Sequence, residues 1–420
     1  MQQATLTSWR WRIFTSTWLA YAGLYFCRKT FFVVKADLGD ELLFDAMWLG
    51  YIEMVYHIAY VAGQLISARL GPVIGPRVLL LTGIAASVGA NVVFGFANDT
   101  VTFGVFMAVN GLAQATGWPS TIGTLAYWTK REERGTVVGI WSTCFQLGGI
   151  LASSWAAFWL ASQGWRGAFF AGSAVLLAVW VYVWFFQANR PEDVGLPPIA
   201  DEDIPTVDED TGRPVKHVFP KGVLTSVLLV GAFYFCIKFI RYAIWSWAPY
   251  LMTRNFGLST AQSGFWANAL FDGFGFLGVI FAGILSDKLF HARRAKLAFY
   301  MLLGMSGGCA LLYLSANAHV VVFALCLALV GFMLFGPDSL MSGAGAIDVG
   351  SHRTALAAAG MINGIGAFGQ VVQSVLVPYI YTDNSGQVGP VLALLFGASI
   401  AALFFLGVVL WRNRRGLSDL

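Results

Sequence analysis

A chain of 420 residues with 57% hydrophobic and 11% charged side chains lies outside the range of soluble domains, which run about 45–50% apolar and roughly 25% charged. The formal net charge of +4 is too small to attract a polyanion, so a cytosolic enzyme, a disordered protein and a nucleic-acid binder are excluded. What remains is a chain built for the lipid bilayer, where glycine packs helices and tryptophan sits at interfaces.

In chain order, apolar segments fall at 11–34, 46–68, 77–97, 101–128, 135–161 and 166–188. They resume at 222–250, 259–286, 296–315, 319–346, 354–380 and 387–411. Each is close to the roughly 20 residues that cross a hydrocarbon core of about 30 Å, which predicts an all-α integral membrane protein with twelve transmembrane helices. The residues before the first segment hold no short apolar core with a small-residue cleavage site, so that segment is expected to be a span and not a signal peptide. Between the two blocks of six, residues 190–198 (ArgProGluAspValGlyLeuProPro) lead into an acidic run, Asp201–Asp210. Proline, acid and few hydrophobes predict a solvated linker over 189–221, joining six-helix halves at 1–188 and 222–420.

Of the 26 Lys and Arg, 19 fall on the N-terminus, the even-numbered loops, the linker and the C-terminus. Only Lys35, Arg166 and Arg254 fall on the other side. The positive-inside rule then places both termini and the linker in the cytoplasm. The remaining cations, Arg28, Lys29, Lys238 and Arg241, lie within spans one and seven, which occupy corresponding places in the two halves. A charge inside a spanning helix costs about 2.5–3.5 kcal/mol on insertion scales, so function is expected to hold these four in place. Lys238 and Arg241 are three residues apart and share a helix face. A guanidinium donates two parallel hydrogen bonds to phosphate or carboxylate, and one Arg from each half would clamp a small anion at a pseudo-two-fold midplane site.

The intramembrane acids are Glu53, Asp272 and Asp338. Asp272 can neutralise Lys29 or Lys238 in the absence of substrate, or form a static buried salt bridge. Glu53 and His57, one turn apart, form either a protonation-sensitive pair or, for Glu53, a wet carboxylate near the outer surface. Asp338 follows Gly336-Pro337, where a kink frees backbone groups, and a local structural bond is expected of it.

Two GxGxxG patterns, Gly273 to Gly278 and Gly364 to Gly369, lie inside apolar helices without the strand a nucleotide fingerprint needs, so they read as helix-packing surfaces. No Walker sequence, zinc pattern or nucleophile–base set is present. Cys27, Cys144, Cys236, Cys309 and Cys326 all lie in apolar runs and read as small buried hydrophobes. Span eight closes with Gly283, Leu285, Asp287 and Lys288, followed by Arg293 and Arg294, an acid and several cations able to lock and unlock neighbouring helices. This resembles the loop signature of the major facilitator superfamily. The corresponding first-half loop, Ala68 to Arg77, lacks the acid.

More specific motifs follow. Residues 24–31 (LeuTyrPheCysArgLysThrPhe), 110–120 (AsnGlyLeuAlaGlnAlaThrGlyTrpProSer), 130–135, 190–198 and 241–251 (ArgTyrAlaIleTrpSerTrpAlaProTyrLeu) resemble the organophosphate:phosphate antiporters of that superfamily, which include glycerol-3-phosphate and hexose-phosphate carriers. The resemblance runs from about residue 9 to residue 411. It implies a major facilitator fold, and it lays Arg28 and Arg241 on the family's paired phosphate-binding arginines. Lys29 and Asp272 fall on its intramembrane ion-pair network, and Gln114 and Trp118 on the span-four segment near the cavity. Gln64, Phe145 and Ser246 stand where glycerol-phosphate carriers have a lysine, a histidine and an acid. Lys238 is expected to supply the missing positive charge.

The resulting expectation is a monomeric carrier of the inner or plasma membrane. It would exchange a phosphorylated metabolite (a sugar phosphate, glycerol phosphate or phosphoglycerate) for inorganic phosphate by alternating access, without a cofactor. Arg28, Arg241 and Lys238 would bind the phosphate; Gln64, Gln114, Trp118, Phe145, Gln146 and Asn363 would shape the pocket. Two rivals stay open: a proton-coupled carrier of carboxylates or sugar acids using Glu53, His57 and Asp338, and a sugar-phosphate sensor that does not transport.

Overall fold

The computed structural model describes residues 2–130, 137–199, 221–288, 294–316, 319–342 and 355–415, and among these there are helices and no strand. The first half forms α1 (Gln2–Leu24), α2 (Phe26–Glu41), α3 (Ala46–Ile74), α4 (Pro76–Phe96), α5 (Thr100–Gln114), α6 (Gly117–Trp128) and α7 (Thr143–Phe186). The second forms α8 (Lys221–Phe256), α9 (Thr260–Lys288), α10 (Arg294–Leu314), α11 (Val320–Ser342), α12 (Ala355–Asp383) and α13 (Val388–Arg414). Residues 2–199 with Leu258–Phe265 make one compact unit; residues 221–257 with those from Trp266 onward make the other.

Eight helices among the described residues are long and apolar enough to cross a membrane. The rest of the predicted spans lie on helices that are interrupted, merged or charged. Span one is the α1–α2 pair, broken at Tyr25, and span four is the α5–α6 pair. Pro119 lacks the N–H that would bond the Ala115 carbonyl, and the α5–α6 break falls at Ala115–Thr116. Spans five and six run through α7 and are separated at Gly164, whose φ of 70° and ψ of −178° only glycine adopts without strain. Short polar caps set other starts. Asp45 accepts the Trp48 N–H at 2.8 Å at the head of α3. Asp99 accepts that of Thr102 at 2.8 Å at the head of α5, and this bond lowers the exposed Asp99 carboxyl pKa.

Each unit packs tightly inside and leaves large apolar side chains outside. In the first, Ala20, Leu24, Cys27, Leu80, Leu81, Ile84, Leu176 and Val183 form one buried cluster. Phe94 and Phe103 stack at 5.1 Å beside Phe169 and Trp165. Leu65, Phe158, Phe185 and Phe404 are each more than 60% exposed, which suits a chain with lipid as its outer solvent. All five cysteines are buried.

The two GxGxxG stretches are packing surfaces. A Cβ at Gly278 would stand 2.0 Å from the Phe332 carbonyl oxygen of α11, and one at Gly369 2.3 Å from that of Phe235 in α8. Gly364, by contrast, has open space around it. Gly369→Val is therefore expected to destabilise by at least about 1–3 kcal/mol, the usual cost of overpacking. Gly364→Ala should instead match or slightly exceed the wild type, since alanine is the better helix former. Thermal unfolding of the two variants in detergent checks the contrast.

Of the linker expected over 189–221, the described part is mostly exposed but anchored at two residues. Residues 189–199 dock on the first unit: Pro191 is buried, and Leu196 joins Ile13, Trp128 and Ala188 in a buried cluster. Asp193 accepts the Asn189 and Arg190 N–H groups at 3.1 and 3.2 Å, and Arg190 stacks on Tyr127 at 4.5 Å. The acidic run Asp201–Asp210 lies outside the described residues.

Candidate functional site

In the first unit the site grows out of the broken helix. Arg28 N–H bonds the Tyr25 carbonyl at 3.0 Å, a tight turn that releases the Leu24 carbonyl from its usual partner. Gln114 fills that gap from α5, donating Nε2–H to Leu24 O at 3.0 Å and to Ser87 Oγ at 2.9 Å. Ser87 donates to Asn110 Oδ1 at 2.7 Å, and Asn110 donates to the Cys27 carbonyl at 3.1 Å. A buried polar network from α4 and α5 thus satisfies the break and fixes the backbone on either side of Tyr25, just before Arg28.

Arg28 itself is buried, and its Nε–H reaches Gln114 Oε1 at 3.1 Å. Its guanidinium carbon lies 5.0 Å from the Tyr25 ring centroid and 5.2 Å from that of Tyr60. Ring faces stabilise a cation without neutralising it. Among the described residues Arg28 has no carboxylate partner, and its Nη2 is buried without any hydrogen bond. An unmet donor on a buried charge costs more than the 1–3 kcal/mol typical of a neutral one, and an anion bound there would remove that cost. Tyr21, one turn before Tyr25, packs against Trp118, Trp141 and Phe145 with centroids 6.2, 5.5 and 5.0 Å away. Trp118 and Phe145 are only partly covered. The face of α1 and α2 that carries Arg28 therefore continues into an aromatic wall.

In the second unit, Tyr234, Lys238, Arg241 and Trp245 follow one another along one face of α8. Arg241 Nη1–H is hydrogen-bonded to Asp338 Oδ2 of α11, and Lys238 Nζ lies 3.8 Å from Asp338 Oδ1. Arg241 also stacks on Phe335, 4.4 Å from its centroid, and Lys238 on Tyr234 at 4.9 Å. Trp245 Nε1–H donates to Asp272 at 3.0 Å. One expectation is corrected here: Asp338 makes an ion pair, with Arg241 and Lys238, where a local bond was expected. Asp338 lies one turn from Phe335, and both meet Arg241 where α11 packs against α8.

Residues 17–370 match the model of the Major Facilitator Superfamily. The chain belongs to that superfamily. It is 28% identical to a probable hexose phosphate transport protein of Chlamydia pneumoniae, over 95% of this chain and 90% of that one. It is 27% identical to sugar phosphate exchanger 3 of Bos taurus, over 93% and 91%. A crystal structure of a bacterial homologue of the human lysosomal transporter Spinster superposes with a TM-score of 0.75 at 14% identity, covering 96% of this chain and 95% of that one. The chain is thus an integral membrane protein with the major facilitator fold, and these two relatives carry the names of sugar-phosphate transporters, the class its motifs resemble.

The remaining predicted residues of this major facilitator chain divide by unit. Lys29 is fully buried in α2, and Gln64 is half-buried one turn beyond Tyr60. Gln146 is half-buried beside Phe145, while Asn363 is exposed on α12. Of the gate loop, Asp287 and Lys288 end α9 and Arg294 opens α10, while Arg293 lies outside the described residues. Glu53 is corrected: it is buried, not wet. Its Oε2 accepts from Lys35 Nζ at 2.5 Å, and its Oε1 lies 3.3 Å from His57 Nε2. Lys35, read as a loop cation, is fully buried because α2 continues to Glu41. Sequence reasoning missed this cation. The signal was Glu53 itself, since a buried carboxylate requires a partner.

Proposed function

We propose that this chain is a secondary carrier of the cell's inner or plasma membrane. It exchanges a phosphorylated metabolite for inorganic phosphate by alternating access, works as a monomer and has both termini in the cytoplasm. Arg28 is the anion ligand of the first unit, with Gln114 holding its Nε and leaving the Nη edge for phosphate oxygens. Arg241 and Lys238 are the anion ligands of the second. Trp118, Phe145, Gln64 and Gln146 are the residues of the first unit offered to the organic part, and Asn363 of the second.

The observation that carries this reading is the buried guanidinium of Arg28, which has aromatic faces around it, no acid beside it among the described residues and an unmet Nη2. Such a cation inside a membrane protein calls for an anionic ligand. The names of the relatives agree with a phosphorylated one. Energy comes from the opposing gradient of the exchanged anion, so no group-transfer chemistry is required of the protein.

The test is uptake of radiolabelled phosphate into vesicles reconstituted with the protein and preloaded with unlabelled phosphate, with no proton gradient. Rapid exchange that survives an uncoupler is the expected result, and competition by a panel of phosphorylated metabolites then ranks the substrates. Folded protein that binds phosphate without exchanging it would point to a sensor. Uptake that collapses with the uncoupler would move the coupling to Glu53 and His57, which are in contact in α3.

A further inference from the structure

The two anion-ligand sets differ in one respect that sequence symmetry does not suggest. Arg28 has no carboxylate partner among the described residues, whereas Arg241 and Lys238 share one. Asp338 is also the deeper member of its cluster: its side chain is 6% exposed, against 14% for Lys238 and 17% for Arg241. An ion arriving from the aqueous side meets the cations before it meets the acid. It also meets them already neutralised in part.

We infer that Asp338 sets the anion selectivity of the second unit, acting as a tethered carboxylate ligand of Arg241 and Lys238 that an incoming anion has to displace. The inference rests on the phosphate-binding reading above. A free carboxylate offers the guanidinium the same two oxygens and the same single charge that Asp338 already provides. Asp338 provides them intramolecularly, at an effective concentration a dissolved solute does not reach. A monocarboxylate therefore gains nothing by exchange and is turned away. A phosphate dianion brings a second charge and a third oxygen, enough to engage Arg241 and Lys238 together and release Asp338. When phosphate leaves, the tethered carboxylate closes on the cations again, so the empty unit never holds two bare, half-buried cations. Asp338 thus weakens phosphate binding and shuts out carboxylates by one and the same contact.

The experiment measures half-saturation for inorganic phosphate in the exchange assay, and inhibition of that exchange by gluconate, for wild type, Asp338→Asn and Asp338→Glu. Wild type and Asp338→Glu should exchange phosphate and ignore gluconate. In Asp338→Asn, half-saturation for phosphate should fall about tenfold, the lower end of what close charge pairs contribute, and gluconate should become a competitive inhibitor. Phosphate should also raise the thermal midpoint of Asp338→Asn more than that of wild type, since in the variant Arg241 and Lys238 have lost their shared carboxylate. If Asp338→Asn does not survive purification, Lys238→Gln/Asp338→Asn keeps the net charge and still takes the Asp338 carboxylate away from Arg241, and gluconate should compete there too. A folded variant with unchanged phosphate affinity and no sensitivity to gluconate overturns the inference, as does a wild type that gluconate already inhibits. A wild type that exchanges no phosphate sinks the transport reading instead, so the two failures are told apart.

Discussion

Arg28→Lys is expected to lower phosphate exchange by about hundredfold or more while the protein stays folded. Lysine keeps the positive charge and the aliphatic stem, so the electrostatic load on the buried position hardly changes. It loses the planar fork, and with it the division of labour in which Nε–H is held by Gln114 Oε1 at 3.1 Å and the Nη edge is left over. An ammonium placed there would satisfy itself on Gln114 and the rings of Tyr25 and Tyr60 and present no paired donors to a phosphate. Losing a buried, hydrogen-bonded charge contact costs about 2–5 kcal/mol, which is roughly thirtyfold to several thousandfold in affinity. Initial rates of labelled phosphate exchange, with thermal unfolding as the control for folding, decide the matter. A lysine variant within threefold of wild type would mean that charge alone suffices and that the guanidinium geometry carries no weight.

The second large effect concerns stability. Glu53→Gln or Lys35→Met alone should each destabilise the folded protein by about 3–5 kcal/mol, the cost of leaving one member of a buried ion pair without its partner. Both side chains are fully buried, and Lys35 Nζ sits on Glu53 Oε2 at 2.5 Å, so neither has water to fall back on. The rings of Phe31 and Phe32 lie 5.6 and 5.5 Å from the ammonium and would cushion it in part after loss of Glu53. The double variant Lys35→Met/Glu53→Gln should recover most of the loss, because removing both charges also removes both desolvation penalties. His57, 3.3 Å from Glu53 Oε1, retains a hydrogen-bonding partner in the glutamine oxygen. Thermal midpoints of the three variants in detergent form the cycle. Additive losses in the double variant would show that the two charges do not depend on each other.

Arg28, Lys238 and Arg241 are legible in the sequence because a cation inside an apolar run has few bland explanations, and each is where hydropathy places it, inside a helix. Gln114 is legible only through the family motif; nothing in its neighbourhood reveals that it would bond a carbonyl ninety residues away, at Leu24. Asp338 was seen but misassigned. Its partners are set by how α11 packs against α8, a tertiary matter that one helix's periodicity does not contain. Lys35 was lost to hydropathy, which ends the first span at Val34 because a charge follows, whereas the helix runs on to Glu41 and takes the lysine into the core. The docked segment after α7 was lost for a related reason. Proline and acid lower the hydropathy of residues 189–199, yet Asp193 spends its charge on two backbone N–H groups and Leu196 supplies the apolar contact. Composition reads how much of a segment is polar, and not whether its polar groups are already occupied.

The spacing of the ion pairs along the chain has a bearing on how the protein is made. Lys35 and Glu53 are 18 residues apart and sit on consecutive helices, so they can meet within a single helical hairpin as it leaves the ribosome and enter the bilayer as a neutral pair. Arg241 and Asp338 are separated by 97 residues. At synthesis rates of about 5–20 residues per second, α8 waits roughly 5–20 s before its counter-charge emerges on α11. During that interval the cations of α8 have to be sheltered by the insertion machinery, by lipid headgroups or by the half already built. The first half closes its Lys35–Glu53 pair as it is translated, and the second closes its Arg241–Asp338 pair late. Conditions that slow elongation between α8 and α11 should therefore lower the yield of folded protein more than an equal delay within the first half.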